Sequence, residues 1–179
     1  MTSPGSPFEL LLELAARARS GSDGAESRLK IQPHWTGVGF SLLGHRLVAP
    51  MGQITEILIL PPLSRLPRVQ PWVRGVANVR GRLLPMLGLA AFLGGKPSAN
   101  WRSHRALVVE TEEMYCGLVV DEVHGLKHFA TDAFREDTKE LPAGVASFSA
   151  GSYIANDGIW TVFRPDRVAA DPRFLNAAQ

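Results

Sequence analysis

The stretch GVANVRGRLLP (residues 75–85) combines features that an ordinary buried strand does not need. Asn78, Arg80 and Arg82 lie among aliphatic residues typical of a core, and Gly75 and Gly81 stand on either side of Asn78. A phosphate-binding loop, a nucleic-acid-binding face and a protein-docking edge would each use such residues. A P-loop has the pattern G-x-x-x-x-G-K-[ST]. Here five residues separate the glycines and Arg82 follows them, so the phosphate-binding alternative is excluded.

The composition predicts one globular domain with short extensions. The chain has 179 residues, of which 45% are hydrophobic and 20% charged, with a formal net charge of +2. We expect no membrane span, because no run of about 18 apolar residues occurs. We expect no secretory signal, because Glu9 and Glu13 interrupt the N-terminal apolar stretch. Cys116 is the only cysteine, so no internal disulfide can form and a cytoplasmic location is expected.

The N-terminal residues have the spacing of an amphipathic helix. Its apolar face consists of Phe8, Leu11, Leu12, Ala15 and Ala16. The sequence thus predicts a helix over 1–20, a flexible linker over 21–33, a main domain over 34–172 and a C-terminal tail over 173–179. The helix either binds a partner or docks on its own domain. The second alternative is favoured, because so short a helix is marginal in isolation.

From residue 34 onward the pattern is that of β-strands. In GVGFSLLGHRLVAP, Val38, Phe40 and Leu42 alternate before a Gly44-His45 turn, which predicts a hairpin. RALVVETEEMYCGLVVDEV and ASFSAGSYIANDGIWTVF predict two more hairpins, with ETEE and NDG as their turns. WVRGVANVRGRLLPMLGL has strand character, and AAFLGG predicts a short helical turn closed by glycine. Many short strands and few helices indicate a mostly β fold, either small barrels or a sandwich.

The charge distribution has two interpretations: a charged surface that meets a partner, or charges that folding intermixes so that their fields cancel. No acid occurs between Glu56 and Glu110, whereas that stretch holds eight basic residues: Arg65, Arg68, Arg74, Arg80, Arg82, Lys96, Arg102 and Arg105. Trp72 lies close to Arg74 in sequence, and Trp101 adjoins Arg102. Aromatic and arginine side chains interleaved in this way are used by barrels that bind single strands. A nucleic-acid-binding barrel using residues 57–109 is therefore the alternative hypothesis.

The sequence offers little support for catalysis or metal binding. His124 and His128 would share one face of a helix, but Gly125 and the strand-like context argue against a helix there. No G-x-S-x-G elbow occurs, and Cys116 lies in an apolar strand, where a core role is typical. We predict no enzymatic activity, no metal site and no cofactor.

Three segments in consistent order resemble the CheW-like domain family. WVRGVANVRGRLLPMLGL is similar to the family pattern G-x-x-N-L-R-G-x-x-x-P-x-x-D-L, with Val79 in place of its leucine and Gly88 in place of its aspartate. The positions that match are Gly75, Asn78, Arg80, Gly81, Pro85 and Leu89. ALVVETEEMYCGLVVDEVHGL resembles the hairpin that ends in V-D-x-V, and GVGFSLLGHRLVAPMGQITEIL resembles the opening strand pair with its V-x-E-I segment. The resemblance covers about residues 35–171.

The resemblance implies two small five-stranded β-barrels packed together, with short helices and a receptor groove between the barrels. It implies a non-enzymatic chemosensory adaptor that couples the cytoplasmic tip of a methyl-accepting chemoreceptor to the regulatory domain of a CheA-type histidine kinase. The N-terminal helix and linker make the chain most like CheW-type adaptors that govern type IV pili and twitching motility. Such an adaptor is cytoplasmic, is recruited to membrane-associated receptor arrays, and neither inserts into the membrane nor binds nucleic acid.

The resemblance also implies a set of partner-binding residues. They are Ile54, Glu56, Gly75, Asn78, Arg80, Gly81, Val120 and Val123. Ile54, Val120 and Val123 are expected as apolar contacts in the groove, although β-branched residues in strands are more often core residues.

Arg80 is expected beside the groove, either as a polar anchor for a partner or as a clamp that only organises a loop. Asn78 is expected to hold the local turn. Gly75 and Gly81 are expected to allow close approach of the backbone.

Overall fold

The computed structural model describes residues 33–112, 114–136 and 141–177. The predicted N-terminal helix and all of the predicted linker except Pro33 lie outside these residues. The described residues form eleven strands and only short helical segments, so the predicted mostly β fold is confirmed. The strands are β1 (His34–Leu42), β2 (His45–Pro50), β3 (Glu56–Ile59), β4 (Val73–Val79), β5 (Arg82–Gly88), β6 (Arg105–Glu110), β7 (Tyr115–Val120), β8 (Glu122–Ala130), β9 (Phe134–Arg135), β10 (Ser149–Ala155) and β11 (Gly158–Phe163).

The strands pair into two sheets. A six-stranded sheet has the order β8-β1-β2-β11-β10-β9, and a five-stranded sheet has the order β3-β6-β7-β5-β4. The resemblance implied two five-stranded barrels, and the structure instead has two sheets that are not closed barrels. The additional strand is the two-residue β9, which pairs with β10 at the edge of the six-stranded sheet.

Alternation along the strands places a core between the two sheets. Val38, Phe40 and Leu42 of β1 are all buried in this core, as their spacing predicts. Leu107 of β6 and Leu118 of β7 are cross-strand partners and supply the core from the five-stranded sheet.

Aromatic side chains fill the other face of the six-stranded sheet. The ring of Tyr153 stacks on the rings of Trp35 and Phe129, with centroid distances of 5.1 and 4.8 Å. Trp160 is buried in the same cluster. The six-stranded sheet therefore has two buried faces: one packs in the core between the two sheets, and the other carries this aromatic cluster.

The five-stranded sheet curls towards a barrel. After β3 the chain crosses to the opposite edge, where Ser64 and Val76 exchange backbone hydrogen bonds of 2.9 and 2.8 Å. Gly75 permits this crossing, because its φ is +133° and a Cβ there would overlap the carbonyl oxygen of Ser64. The bridge does not extend into a ladder, since residues 61–71 contain four prolines, which lack N–H donors. The sheet is therefore nearly closed rather than a closed barrel.

A two-residue turn separates β4 from β5. Val79 pairs with Arg82, and the loop residues Arg80 and Gly81 have φ values of +52° and +82°. Positive φ at both positions is the pattern of a type I′ hairpin turn. The sequence indicated strand character through this stretch, and the structure corrects that interpretation to a hairpin.

The other predicted hairpins form with small shifts in their turns. Leu42 pairs with His45, so the first turn is Leu43-Gly44 rather than Gly44-His45. Ala155 pairs with Gly158, so the last turn is shorter by one residue than NDG. The short helix closed by glycine forms as predicted, over Leu89–Phe92.

Further short helices cover Ala143–Ala146, Pro165–Ala169 and Pro172–Leu175, and 3-10 turns cover Met51–Gln53 and Thr131–Ala133. Near the C-terminus, the ring of Phe174 stacks on Trp72 at 6.5 Å. Within the described residues, no helix has the length and apolarity needed to cross a membrane.

Candidate functional site

The hairpin turn between β4 and β5 forms the centre of the candidate site. The side-chain Oδ1 of Asn78 accepts a hydrogen bond of 2.9 Å from the backbone N–H of Gly81. This is the turn-holding contact expected of Asn78. Gly81 has open space around its Cα, so its requirement is the left-handed backbone and not a close neighbour. The turn presents the side chain of Arg80 to solvent.

Arg80 reaches across the curled sheet to Glu56 at the start of β3. Its Nη2 donates to Glu56 Oε1 at 2.7 Å, while 79% of the Arg80 side chain and 29% of the Glu56 side chain stay exposed. Two of the predicted site residues are thereby brought together. An exposed guanidinium with one partner keeps further donors for a second carboxylate.

A second ion pair lies beside the first one. Arg82 Nη2 donates to Glu110 Oε1 at 3.0 Å, and its guanidinium lies 4.1 Å from the centre of the Tyr115 ring. The hydrogen bond to Glu110 raises the pKa of Arg82. Leu83, next in the chain, is 71% exposed. These four residues were not among the predicted site residues. We call this end of the five-stranded sheet, with Glu56, Arg80, Arg82 and Glu110, the turn end.

The predicted apolar contacts divide into two groups. Ile54 and Val123 are partly buried and pack against the core between the sheets. Leu126 was not among the predicted contacts; it pairs with Val38 on the face of β8 that is directed towards this core, and it is 52% exposed. Val120 is only 1% exposed, so it offers a partner no surface in this structure.

Gly75 also has a structural explanation. It is buried, and its neighbour is the backbone of Ser64 at the crossing that closes the sheet. The close backbone approach expected of Gly75 is present, but the approaching segment is residue Ser64 of the same protein and not a partner.

Asp121 is the aspartate of the V-D-x-V segment, residues 120–123, and it was not among the predicted site residues. The carboxylate is buried and accepts hydrogen bonds from the backbone N–H groups of Leu43 and Ser98, at 3.0 and 2.8 Å. His104 Nε2 lies 3.8 Å from the same carboxylate. Asp121 therefore ties a turn of the six-stranded sheet to the loop that precedes β6.

The groups considered for chemistry have structural surroundings. Cys116 is buried, and burial raises the pKa of its thiol to about 12. His124 and His128 lie on strand β8, and their ring nitrogens hydrogen-bond the hydroxyls of Ser41 and Thr36 at 2.6 and 2.9 Å. Across the described ranges, no group of three or more metal-ligating side chains forms.

Of the two tryptophans that the alternative hypothesis of a nucleic-acid-binding face relies on, only one is exposed. Trp72 is buried, and its ring meets the ring of Phe92 edge-on at 5.1 Å. A base cannot stack on it without displacing the core. Trp101, in contrast, is 68% exposed.

Comparison with known proteins places this arrangement in one family. The family model of the CheW-like domain matches residues 36–173. The chain is 40% identical to protein PilI of Pseudomonas aeruginosa over 99% of both chains. It is 25% identical to the chemotaxis protein CheW of Helicobacter pylori, over 88% of this chain and 93% of that protein.

A solved structure shares the fold. The scaffolding protein TtCheW of Thermoanaerobacter tengcongensis superposes with a TM-score of 0.65 at 20% identity, covering 74% of this chain and 90% of that chain. With strands, sheets and sequence in agreement, the chain belongs to the CheW-like domain family.

Proposed function

We propose that this protein is a non-enzymatic chemosensory adaptor. In this proposal it couples the cytoplasmic tip of a methyl-accepting chemoreceptor to the regulatory domain of a CheA-type histidine kinase, and the coupled system controls type IV pilus motility. The support is membership of the CheW-like family, together with similarity along nearly the whole chain to PilI. The adaptor works in the cytoplasm and is recruited to membrane-associated receptor arrays.

The observation that carries the proposal is the exposed Arg80. The turn and the bond to Glu56 fix the guanidinium in position, yet most of its surface faces solvent. Exposed ion pairs of this kind add little to stability, so a stabilising role does not account for the arrangement. Arginine is enriched among the residues that dominate binding at protein interfaces.

The apolar margin formed by Ile54, Val123 and Leu126 supplies the second half of the proposed site. Ile54 and Val123 are partly buried and pack against the core between the two sheets, and Leu126 is exposed on the same face of β8 as Val123. An amphipathic helix can lay its apolar face in such a margin, as helix-in-groove complexes do. A receptor tip built as a helical hairpin offers that face.

Calorimetric titration of the full chain with the regulatory domain of the CheA-type kinase tests the proposal. We expect a saturable complex. No association at concentrations of about 50 μM would contradict the proposal. Single- and double-stranded DNA serve as the comparison ligands, because binding driven by phosphates weakens steeply as the salt concentration rises.

A further inference from the structure

The opposite end of the five-stranded sheet carries a different set of charges. Arg105 begins β6, Arg102 lies in the loop before it, and Arg74 lies near the start of β4. Arg105 Nη1 donates to the carbonyl oxygen of Arg102 at 2.9 Å, which places these two residues together. A small pocket at this end is lined by Arg74 and by Pro97, the neighbour of Lys96. We call the surface formed by Arg74, Lys96, Trp101, Arg102 and Arg105 the basic end.

The cations of the basic end differ in their pairing from the arginines of the turn end. In the part of the chain that the structure describes, no ion pair involves Arg74, Lys96, Arg102 or Arg105. The acid that lines the pocket is Asp121, which is buried and has both oxygens engaged by backbone N–H groups. These cations outnumber the buried Asp121 carboxylate, so this surface carries an excess of positive charge, whereas each arginine of the turn end is paired with a glutamate.

The loop before β6 holds Trp101 out from the basic end. Ser103 Oγ donates to the carbonyl oxygens of Asn100 and Asp121, at 2.8 and 2.9 Å, and Asn100 N donates to Ser98 Oγ at 3.2 Å. The indole is 68% exposed, and the guanidinium of Arg102 lies 5.5 Å from its centre. An exposed tryptophan on a loop that is hydrogen-bonded on both sides is costly in water, and it is a typical interface anchor.

The pocket beside these cations is mostly apolar. Besides Arg74 and Pro97, its lining includes the partly exposed Ala91, and behind it come buried residues that offer a ligand little surface: Ala90, Val119, Val120, His104 and Asp121. Cations around a small apolar recess match a ligand that carries carboxylates next to a small apolar side chain. Protein segments have that chemistry. Proteins that bind single strands combine cations with several aromatic side chains on which bases stack, and here Trp72 is buried.

We propose that the basic end is a docking surface for an acidic segment of a protein partner. The carboxylates of the segment pair with Arg74, Arg102 and Arg105, and an apolar side chain of the segment contacts Trp101 and the pocket. This surface lies at the opposite end of the five-stranded sheet from the turn end, so the inference does not depend on Arg80 or on binding of the kinase.

Fluorescence anisotropy with the full chain tests the inference. The probe is a fluorescein-labelled peptide with the core Glu-Glu-Leu-Glu-Glu, and the comparison probes are the same peptide with Gln for every Glu and a single-stranded oligothymidylate. We expect the acidic peptide to bind with a dissociation constant of about 100 μM, and to bind several-fold more weakly at high salt. The Gln peptide and the oligothymidylate should bind more weakly than the acidic peptide.

Two variants locate the contact. The double variant Arg74→Glu/Arg102→Glu should weaken peptide binding about tenfold or more, and Trp101→Ala about fivefold. Arg46→Glu is the matched control, because Arg46 is exposed but lies on the six-stranded sheet. The affinity of this variant for the acidic peptide should equal that of the native chain. All these positions are exposed, so the thermal unfolding midpoints should agree. The inference would be overturned if the acidic peptide did not bind, or if the charge-reversed variant bound it as tightly as the native chain does. Tighter binding of the oligothymidylate than of the acidic peptide would also overturn it.

Discussion

The two ends of the five-stranded sheet use arginines from the same acid-free stretch in opposite ways. At the turn end Arg80 and Arg82 pair with Glu56 and Glu110, the two acids that bracket that stretch in the sequence. At the basic end the cations have no such partners in the described part of the chain. The sheet therefore turns a run of like charge into one compensated and one uncompensated surface.

The ends also differ in what keeps them in shape. Buried groups hold the basic end in shape. Gly75 leaves room for the backbone of Ser64, and Asp121 accepts hydrogen bonds from two backbone N–H groups. The turn end rests on an exposed turn and exposed ion pairs. Burial decides how much an interaction contributes to stability. We therefore expect substitutions in the framework of the basic end to reduce stability, and substitutions of the exposed arginine side chains at the turn end to change function with little loss of stability. Gly81 is the exception at the turn end, because its backbone conformation and not its side chain is required.

The largest loss of stability is expected for the substitution Gly75→Ala. A Cβ at this position overlaps the carbonyl oxygen of Ser64, and the backbone has a φ of +133°. The free energy of unfolding, measured by urea denaturation, should fall by about 3 kcal/mol or more. Gly52→Ala is the matched control, because no atom lies within 4 Å of a Cβ there. Similar urea midpoints for the two variants would show that the crossing does not limit stability.

Asp121→Asn should have the next largest effect. The amide can accept one of the two backbone hydrogen bonds, but its NH₂ group faces the second N–H donor. We expect the free energy of unfolding to fall by about 2 kcal/mol in urea denaturation. Asp132→Asn, an exposed carboxylate at the start of a 3-10 turn, is the control and should change little. If both variants matched the native chain, the buried carboxylate would not organise the basic end.

Gly81→Val tests the left-handed turn. The φ of +82° is unfavourable for a β-branched residue, although there is room for the side chain. We expect a loss of about 1–2 kcal/mol in the free energy of unfolding, with the kinase domain still bound after correction for folded protein. Gly81→Asn should recover most of the stability, because asparagine tolerates this backbone. Equal losses for both variants would point to a packing requirement instead.

The smallest change in stability is expected for Arg80→Ala. Its ion pair with Glu56 is exposed, so the free energy of unfolding should change by about 0.5 kcal/mol or less. In a reconstituted assay of receptor, kinase and adaptor, receptor-dependent control of kinase autophosphorylation should be lost. Arg46→Ala, on the other sheet, should retain that control. If Arg80→Ala instead unfolds at clearly lower urea, then Arg80 is a structural clamp.

Much of the fold could be predicted from local sequence. The alternation of Val38, Phe40 and Leu42 identified core positions, because a strand turns every second side chain to the same face. The hairpins were predicted for the same reason, within one residue at each turn. The Arg80-Gly81 turn was missed, since arginine is not a typical residue for a position with positive φ.

The candidate site was less predictable because its residues meet through the sheet. Asn78 acts within its own turn, and that role could be predicted from the sequence. The partner of Arg80 is Glu56, which is distant in the chain and is brought close only by the curl of the sheet. Val120 and Val123 look alike in sequence, but one is buried and the other is partly exposed.

The sequence by itself determined the mostly β class, the register of the core faces and the family, because these depend on residues close together in the chain or on their order. Only the tertiary structure decided which arginines are paired, which tryptophan is exposed and that Gly75 faces Ser64. Charge pairing and burial depend on distances between strands, and the curl and packing of the sheets set those distances. One acid-free stretch therefore became two surfaces of different character.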